Sequence, residues 1–165
     1  MKTSFRAGAL VVALATGAGI AVPLALPASA AASAACSKLV AAFDSKGKYT
    51  TTYSQCTPAA LAAGATSASA VSKTGPNKGK LVNTIVWKNG KGTTIEVIKY
   101  APAKTQGKCP AGTGHVTIAG SVTGGTGTAA TIIKKGEAVS ISICAFTKGP
   151  KVGQAGLEPG TKLTL

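Results

Sequence analysis

The sequence predicts an all-β fold, a single antiparallel β-sandwich or barrel of about eight short strands braced by two disulfides. Three observations carry that expectation. Beyond Ala30, valine and isoleucine number seventeen against six leucines, and β-branched side chains suit a pleated strand better than a helix. Turn clusters rich in Gly, Asn, Pro and Lys recur at intervals of roughly ten residues and divide short alternating runs. All four cysteines follow a leader of the export type, and an even count in an exported chain favours disulfides.

The leader comes first. Lys2 and Arg6 precede the apolar run AGALVVALATGAGIAVPLAL, and Pro27-Ala28-Ser29-Ala30 supplies the small-x-small site that signal peptidase cuts. Ala32-Ser33-Ala34 repeats the motif, so a cut after Ala34 is the alternative. Pro23 and Pro27 interrupt the apolar run, which disfavours an uncleaved anchor, and Ser33 stands where a lipoprotein anchor on Cys36 would need an aliphatic residue. The expected organisation is a cleaved signal peptide, 1–30, and one β domain, 31–165, long enough for a single core. No transmembrane anchor is expected after cleavage.

Within the domain, Cys36–Phe43 fits either a helical face or a short strand and is assigned as a strand, with a turn at Asp44–Gly47. Lys48–Cys56 alternates Tyr49, Thr51 and Tyr53 against threonine and serine, a strand pattern. Thr57-Pro58 before AALAAG predicts a helical turn capped by Thr57 and ended by Gly64. A weak strand at Ala68–Ser72 precedes an exposed loop, Thr74–Gly79. That loop is no phosphate cradle: three residues separate Gly75 and Gly79 where four are required, and Leu81 replaces the Ser or Thr. Leu81–Lys88 and Thr93–Tyr100 flank Asn89-Gly90, the strongest hairpin signal in the chain.

Cys109–Cys144 reads as three antiparallel strands with a cysteine at each end. Val116, Ile118 and Val122 share a face, Gly124–Gly127 turns the chain, Thr128–Lys134 forms a further strand, and Ala138–Phe146 places Val139, Ile141 and Ile143 inward. Residues 125–130 match a dinucleotide fingerprint by letter, but the expected strand at 128–134 denies it the helix it needs. At an offset of 35, Gly90, Gly92 and Ile98 align with Gly125, Gly127 and Ile133, a faint repeat that shared turn chemistry explains equally well. Turns at Thr147–Pro150 and Glu158–Gly160 lead to a last strand, Thr161–Leu165. The Cys, Trp and Tyr spacing of immunoglobulin domains is not met.

Of the three cysteine connectivities, the preferred pairs are Cys36 with Cys56 and Cys109 with Cys144, each closing a local segment. Cys56 and Cys144 fall on the less apolar side of their strands, so the bridges are expected to tie a sheet to an overlying loop or edge. No metal site and no cofactor are expected, since no Cys-x-x-Cys occurs and His115 has no neighbouring ligand. The mature chain carries sixteen basic residues, all lysine, against Asp44, Glu96, Glu137 and Glu158. Without arginine, diffuse attraction to polyanions is expected and sequence-specific nucleic-acid recognition is not. The polyanion candidates are Lys78, Lys80, Lys88, Lys91, Lys134, Lys135, Lys148 and Lys151; the alternative is that the lysines only solubilise a Gly/Ala/Thr surface. Trp87, Tyr49 and Tyr53 are the aromatic binding candidates, with a core role the commoner one for Trp87.

No catalytic residues are assigned. The leading expectation is a secreted, non-catalytic binding protein for anionic envelope or extracellular polymers. The alternative is an inhibitor of a secreted protease, presenting Lys78, Lys104 or Lys108 on a braced loop, and the third is a small hydrolase using Glu96 or Glu137 with His115.

Overall fold

The computed structural model describes residues 33–43 and 49–165. The expected leader and the expected turn at Asp44–Gly47 lie outside them. Nine strands form one antiparallel sheet: β1 (Ala35–Phe43), β2 (Tyr49–Thr57), β3 (Ala65–Val71), β4 (Leu81–Trp87), β5 (Gly92–Pro102), β6 (Thr113–Thr126), β7 (Ala138–Phe146), β8 (Ala155–Leu157) and β9 (Leu163–Thr164). Each strand from β1 to β8 pairs with the next, and β8 returns to β1, so the sheet closes on itself as an eight-stranded barrel. Of the two architectures expected, the barrel is the one formed. Closure leaves no long unpaired edge, which suits strands this short.

β9 is the extra strand. It follows the direction of β8 and pairs with both β1 and β7. Val40 lies opposite Gly156 and Cys36 opposite Leu163, so four steps along β1 match seven along the returning chain. The surplus is thrown out of the wall around Glu158-Pro159-Gly160, and Thr161 donates its amide back to the Glu158 carbonyl.

Alternation decides what fills the barrel. Asn83, Ile85 and Trp87 of β4, Thr94, Glu96 and Ile98 of β5, and Val139, Ile141 and Ile143 of β7 are all buried, while their neighbours in sequence face out. On β6 the inward Gly120 stands where a β-carbon would be driven into the Val97 carbonyl, and one extra residue enters β6 near Thr123. Close approach and bulge together let β6 curve around the barrel. The β4–β5 turn forms as expected, with Asn89 and Gly90 both at positive φ.

The two ends differ. At what we call the helix end, Leu61, Leu163, Leu165, Ala129 and Ile133 are buried in the same core as Trp87, and Ala34 and Leu165 exchange backbone hydrogen bonds. At the loop end lie the longer connections 72–80, 103–112 and 147–154. Trp87 donates its indole N–H to Thr94 Oγ1 at 2.9 Å, with both residues buried. Thr94→Val removes the acceptor and leaves that N–H unpaired, so urea unfolding should show a loss of about 1–3 kcal/mol that Thr94→Ser does not reproduce. A valine variant within about 0.5 kcal/mol of the parent would contradict this role.

Several sequence expectations are corrected. Thr128–Lys134 is no strand: β6 runs on to Thr126, and Gly127–Ile132 forms a short helix, α1. Its cause is visible in the spacing of Ala129, Ile132 and Ile133, which bring one helical side down on the barrel end, with Ala129 and Ile133 buried. Cys109–Cys144 therefore contains two strands and a helix. A helix does follow the fingerprint-like loop, but it has six residues and links antiparallel neighbours, unlike the parallel crossover that holds a dinucleotide. The aligned repeat halves also differ in structure, Thr93 in a strand and Thr128 in α1.

The turn after β2 is a 3-10 turn at Ala59–Leu61 capped at Pro58, because the Thr57 hydroxyl is spent on the Ala35 carbonyl across the β1–β2 pair. The weak strand begins earlier than expected, at Ala65, and β8 was not expected at all. Both disulfides form as preferred, Cys36–Cys56 and Cys109–Cys144. The second ties β7 to the 103–112 connection. The first departs from expectation: Cys36 and Cys56 are directly opposed on β1 and β2, and their sulfurs belong to the core.

Candidate functional site

His115, Ser142 and Glu158 meet on the outer wall. His115 sits on β6 opposite Cys144, so its outward side chain reaches Ser142 on β7, and the extruded segment brings Glu158 over both. The Ser142 hydroxyl donates to Glu158 Oε2 at 2.7 Å, and His115 Nε2 lies 2.7 Å from Ser142 Oγ and 3.3 Å from Glu158 Oε2. His115 Nδ1 donates to the Thr105 carbonyl at 2.7 Å, and the Lys108 amide donates to Glu158 Oε1 at 2.7 Å.

These are the residue types of a serine-hydrolase triad in the wrong arrangement. A triad places the acid on Nδ1 and lets Nε2 take the serine proton. Here a carbonyl holds Nδ1, and the carboxylate itself accepts from Ser142. The Lys108 amide, then the Ser142 hydroxyl, hold the Glu158 carboxyl below its usual range, which makes it a poor base. The imidazole and carboxylate are only 10% and 12% exposed beneath the connection they pin. The arrangement is a clasp that fixes the 103–112 connection beside its disulfide.

A second polar group lies inside the barrel. Ser69 Oγ donates to Asn83 Oδ1 at 3.0 Å, Asn83 Nδ2 donates to Glu96 Oε2 at 2.9 Å, and the Tyr53 hydroxyl meets Ser67 Oγ at 3.0 Å. Burial pushes the Glu96 carboxyl up to about 7 against the opposing effect of Asn83, and burial also raises the Tyr53 phenol. Glu96 Oε1 has no hydrogen-bond partner among the described residues. The space nearby, lined in part by Tyr53, Ser69, Asn83 and Ile98, is about 20 Å³, far below the size of an organic ligand site.

The structure keeps the three groups of the hydrolase expectation apart. Glu96 is inside the barrel and His115 outside it, while Glu137 sits at the helix end, bonded to the Ser33 hydroxyl and the Lys134 amide. Trp87 and Tyr53 are each 2% exposed and turned into the core, so neither presents a ring to solvent. Tyr49 begins β2, and its side chain, on which the binding expectation falls, lies outside what the structure describes. The lysine candidates divide between the ends: Lys88, Lys91, Lys134 and Lys135 at the helix end, Lys78, Lys80, Lys148 and Lys151 at the loop end. Lys73, Lys104 and Lys108 join the latter group, and Lys151 lies 5.4 Å from the Phe146 ring centre. Lys108 belongs to the clasped connection, and Lys78 follows a 3-10 turn at Gly75–Asn77.

Sequence reasoning missed Ser142 and Glu158 as partners of His115. The outward parity of His115 and Ser142 was legible, but the β6–β7 register that sets them side by side was not. A surface cleft of about 740 Å³ at the loop end is bordered by Lys80 and Lys99, while Tyr100 follows the inward parity of Glu96 and Ile98 and lines the barrel interior beside Tyr53. Among the described residues no group of three His, Cys, Asp or Glu could hold a metal ion, and no helix is long and apolar enough to cross a membrane. Fold and surface define a closed antiparallel barrel, filled by its own side chains, with basic connections at both ends. Comparison with known proteins finds no family model that matches the chain, and no curated protein or solved structure similar to it.

Proposed function

We propose that this chain is an exported, non-catalytic binding protein whose loop-end lysines hold anionic envelope or extracellular polymers. The observation that carries the reading is the placement of charge. Lys73, Lys78, Lys80, Lys104, Lys108, Lys148 and Lys151 lie on three described connections at one barrel end, 72–80, 103–112 and 147–154, and these three contain no Asp or Glu. A rigid barrel with two disulfides presents these ammonium groups at little cost in order, and lysine attracts polyanions without selecting among their shapes. The export leader and the paired cysteines agree with an oxidising destination. The small size of the space beside Glu96, about 20 Å³, and the proton-accepting use of Glu158 support a non-catalytic role.

Retention on purified envelope polymers, titrated with salt, tests the proposal. Retention should be strong at about 0.05 M salt and mostly lost by about 0.5 M, as screening shortens the reach of each charge. No retention at low salt, or retention indifferent to salt, would overturn it.

A further inference from the structure

We propose that the 103–112 connection is an inhibitory loop for a trypsin-like serine protease, with the Lys104 side chain as the group that enters the specificity pocket. This goes beyond the polyanion reading and does not rest on it. The connection is held with unusual firmness. Cys109 bonds it to β7, His115 Nδ1 donates to the Thr105 carbonyl, and Glu158 accepts the Lys108 amide. Gln106 donates its side-chain amide to the Thr113 carbonyl at 3.0 Å, which ties the middle of the connection to its end. Gly107, at positive φ, lies so close to Glu158 Oε1 and the His115 ring that a β-carbon there would collide with both. Surface connections are ordinarily mobile, and restraint of this kind lets a segment meet a partner without a further cost in ordering.

The restraints select one lysine. A serine protease holds a peptide in part through the backbone of the residue whose side chain fills its pocket, so that residue's own amide and carbonyl must be free. Lys108 fails, because Glu158 takes its amide and the Cys109 amide closes a turn over it to the Gln106 carbonyl. Lys78 fails too, since its amide is bonded to the Gly75 carbonyl. Lys104 is exposed, lies in a bend with Thr105 and makes no backbone hydrogen bond among the described residues. Its two neighbours are both fixed to His115. The Ala103 amide donates to the His115 carbonyl at 3.0 Å, and the Thr105 carbonyl accepts from the His115 ring at 2.7 Å. Attack by the protease serine on the Lys104 carbonyl exchanges the Lys104–Thr105 amide for a serine ester, while the serine proton passes through the protease histidine to the Thr105 amine. Because His115 holds both sides of the cut, that amine stays beside the ester and returns to displace the serine, remaking the peptide bond.

Inhibition assays with trypsin and chymotrypsin test the assignment, using the oxidised protein at about 0.3 M salt to suppress diffuse charge attraction. Trypsin should be inhibited and chymotrypsin should not, with the parent loop cut slowly or not at all. Lys104→Ala should weaken inhibition about a hundredfold or more, Lys104→Arg should keep it, and Lys104→Phe should transfer it to chymotrypsin. Lys38→Gln, which removes a charge from the wall, should change it less than about twofold. Glu158→Gln should loosen the loop and speed trypsin cleavage after Lys104 about tenfold or more. No inhibition of trypsin at about 10 μM protein, or rapid cutting of the parent at Lys104, would overturn the proposal. Inhibition that survives Lys104→Ala would overturn it equally, since the active segment would then lie elsewhere. Polymer retention should respond to Lys104→Phe only as to the loss of one charge among many, so the two readings stand or fall separately.

Discussion

Replacing Cys109 and Cys144 together by serine is expected to cost about 4 kcal/mol of unfolding free energy, from the loop entropy that a bridge of this span removes from the unfolded chain. The bridge spans 35 residues, against 20 for Cys36–Cys56. The same relation gives about 3 kcal/mol for the shorter one, so the two should rank in that order in urea unfolding. Location sharpens the prediction. Cys36–Cys56 joins strands already paired along β1 and β2, whereas Cys109–Cys144 holds a connection that contributes no strand to the barrel. Its loss should therefore expose Lys104 and Lys108 to trypsin before the barrel unfolds, leaving the His115–Ser142–Glu158 clasp as the remaining tether. Unchanged stability together with unchanged cleavage at those lysines would show that the clasp alone suffices.

Glu96→Gln should raise stability above neutral pH by about 3 kcal/mol and flatten its pH dependence. Glu96 is fully buried, and its carboxyl is pushed up to about 7 from 4.5 by burial. Between those values the unfolded chain has released its proton and the folded chain keeps it. Folding is then favoured most below the lower value, and the advantage is lost as pH rises through the higher one. Glutamine keeps the shape, can still accept from Asn83 Nδ2, and never ionises. Glu158 works in the opposite sense: its lowered value contributes stability that disappears as pH falls, so the acid and neutral windows separate. Urea titrations at about pH 5, 7 and 8.5 would check this, since the parent should weaken across the series and the variant should not. Parallel losses in both proteins would mean that Glu96 is not the group responsible.

Glu96 also shows where sequence reading reaches its limit. Its position on a strand was legible from the alternation of Thr94, Glu96 and Ile98, and so was the Asn89-Gly90 turn that starts the strand. A lone carboxylate among apolar residues ordinarily signals the solvent face. It points inward here because Asn83, on the neighbouring strand, reaches it within the barrel. The 128–134 segment failed for a related reason: Ile132 and Ile133 fit a strand by composition, and only the open barrel end beside them makes a helical plug the better burial.

By itself, the sequence determined the strand-rich class, most turn positions and the excess of lysine over acid, because turn chemistry and residue branching act over a few neighbours or on composition; for the cysteines it offered a preferred pairing among three, and the structure decided it. Closure into a barrel and the gathering of His115, Ser142 and Glu158 from three segments were decided only by tertiary structure. Each of these depends on register between strands distant in the chain, and register is set by how all the inward side chains fill one enclosed volume together.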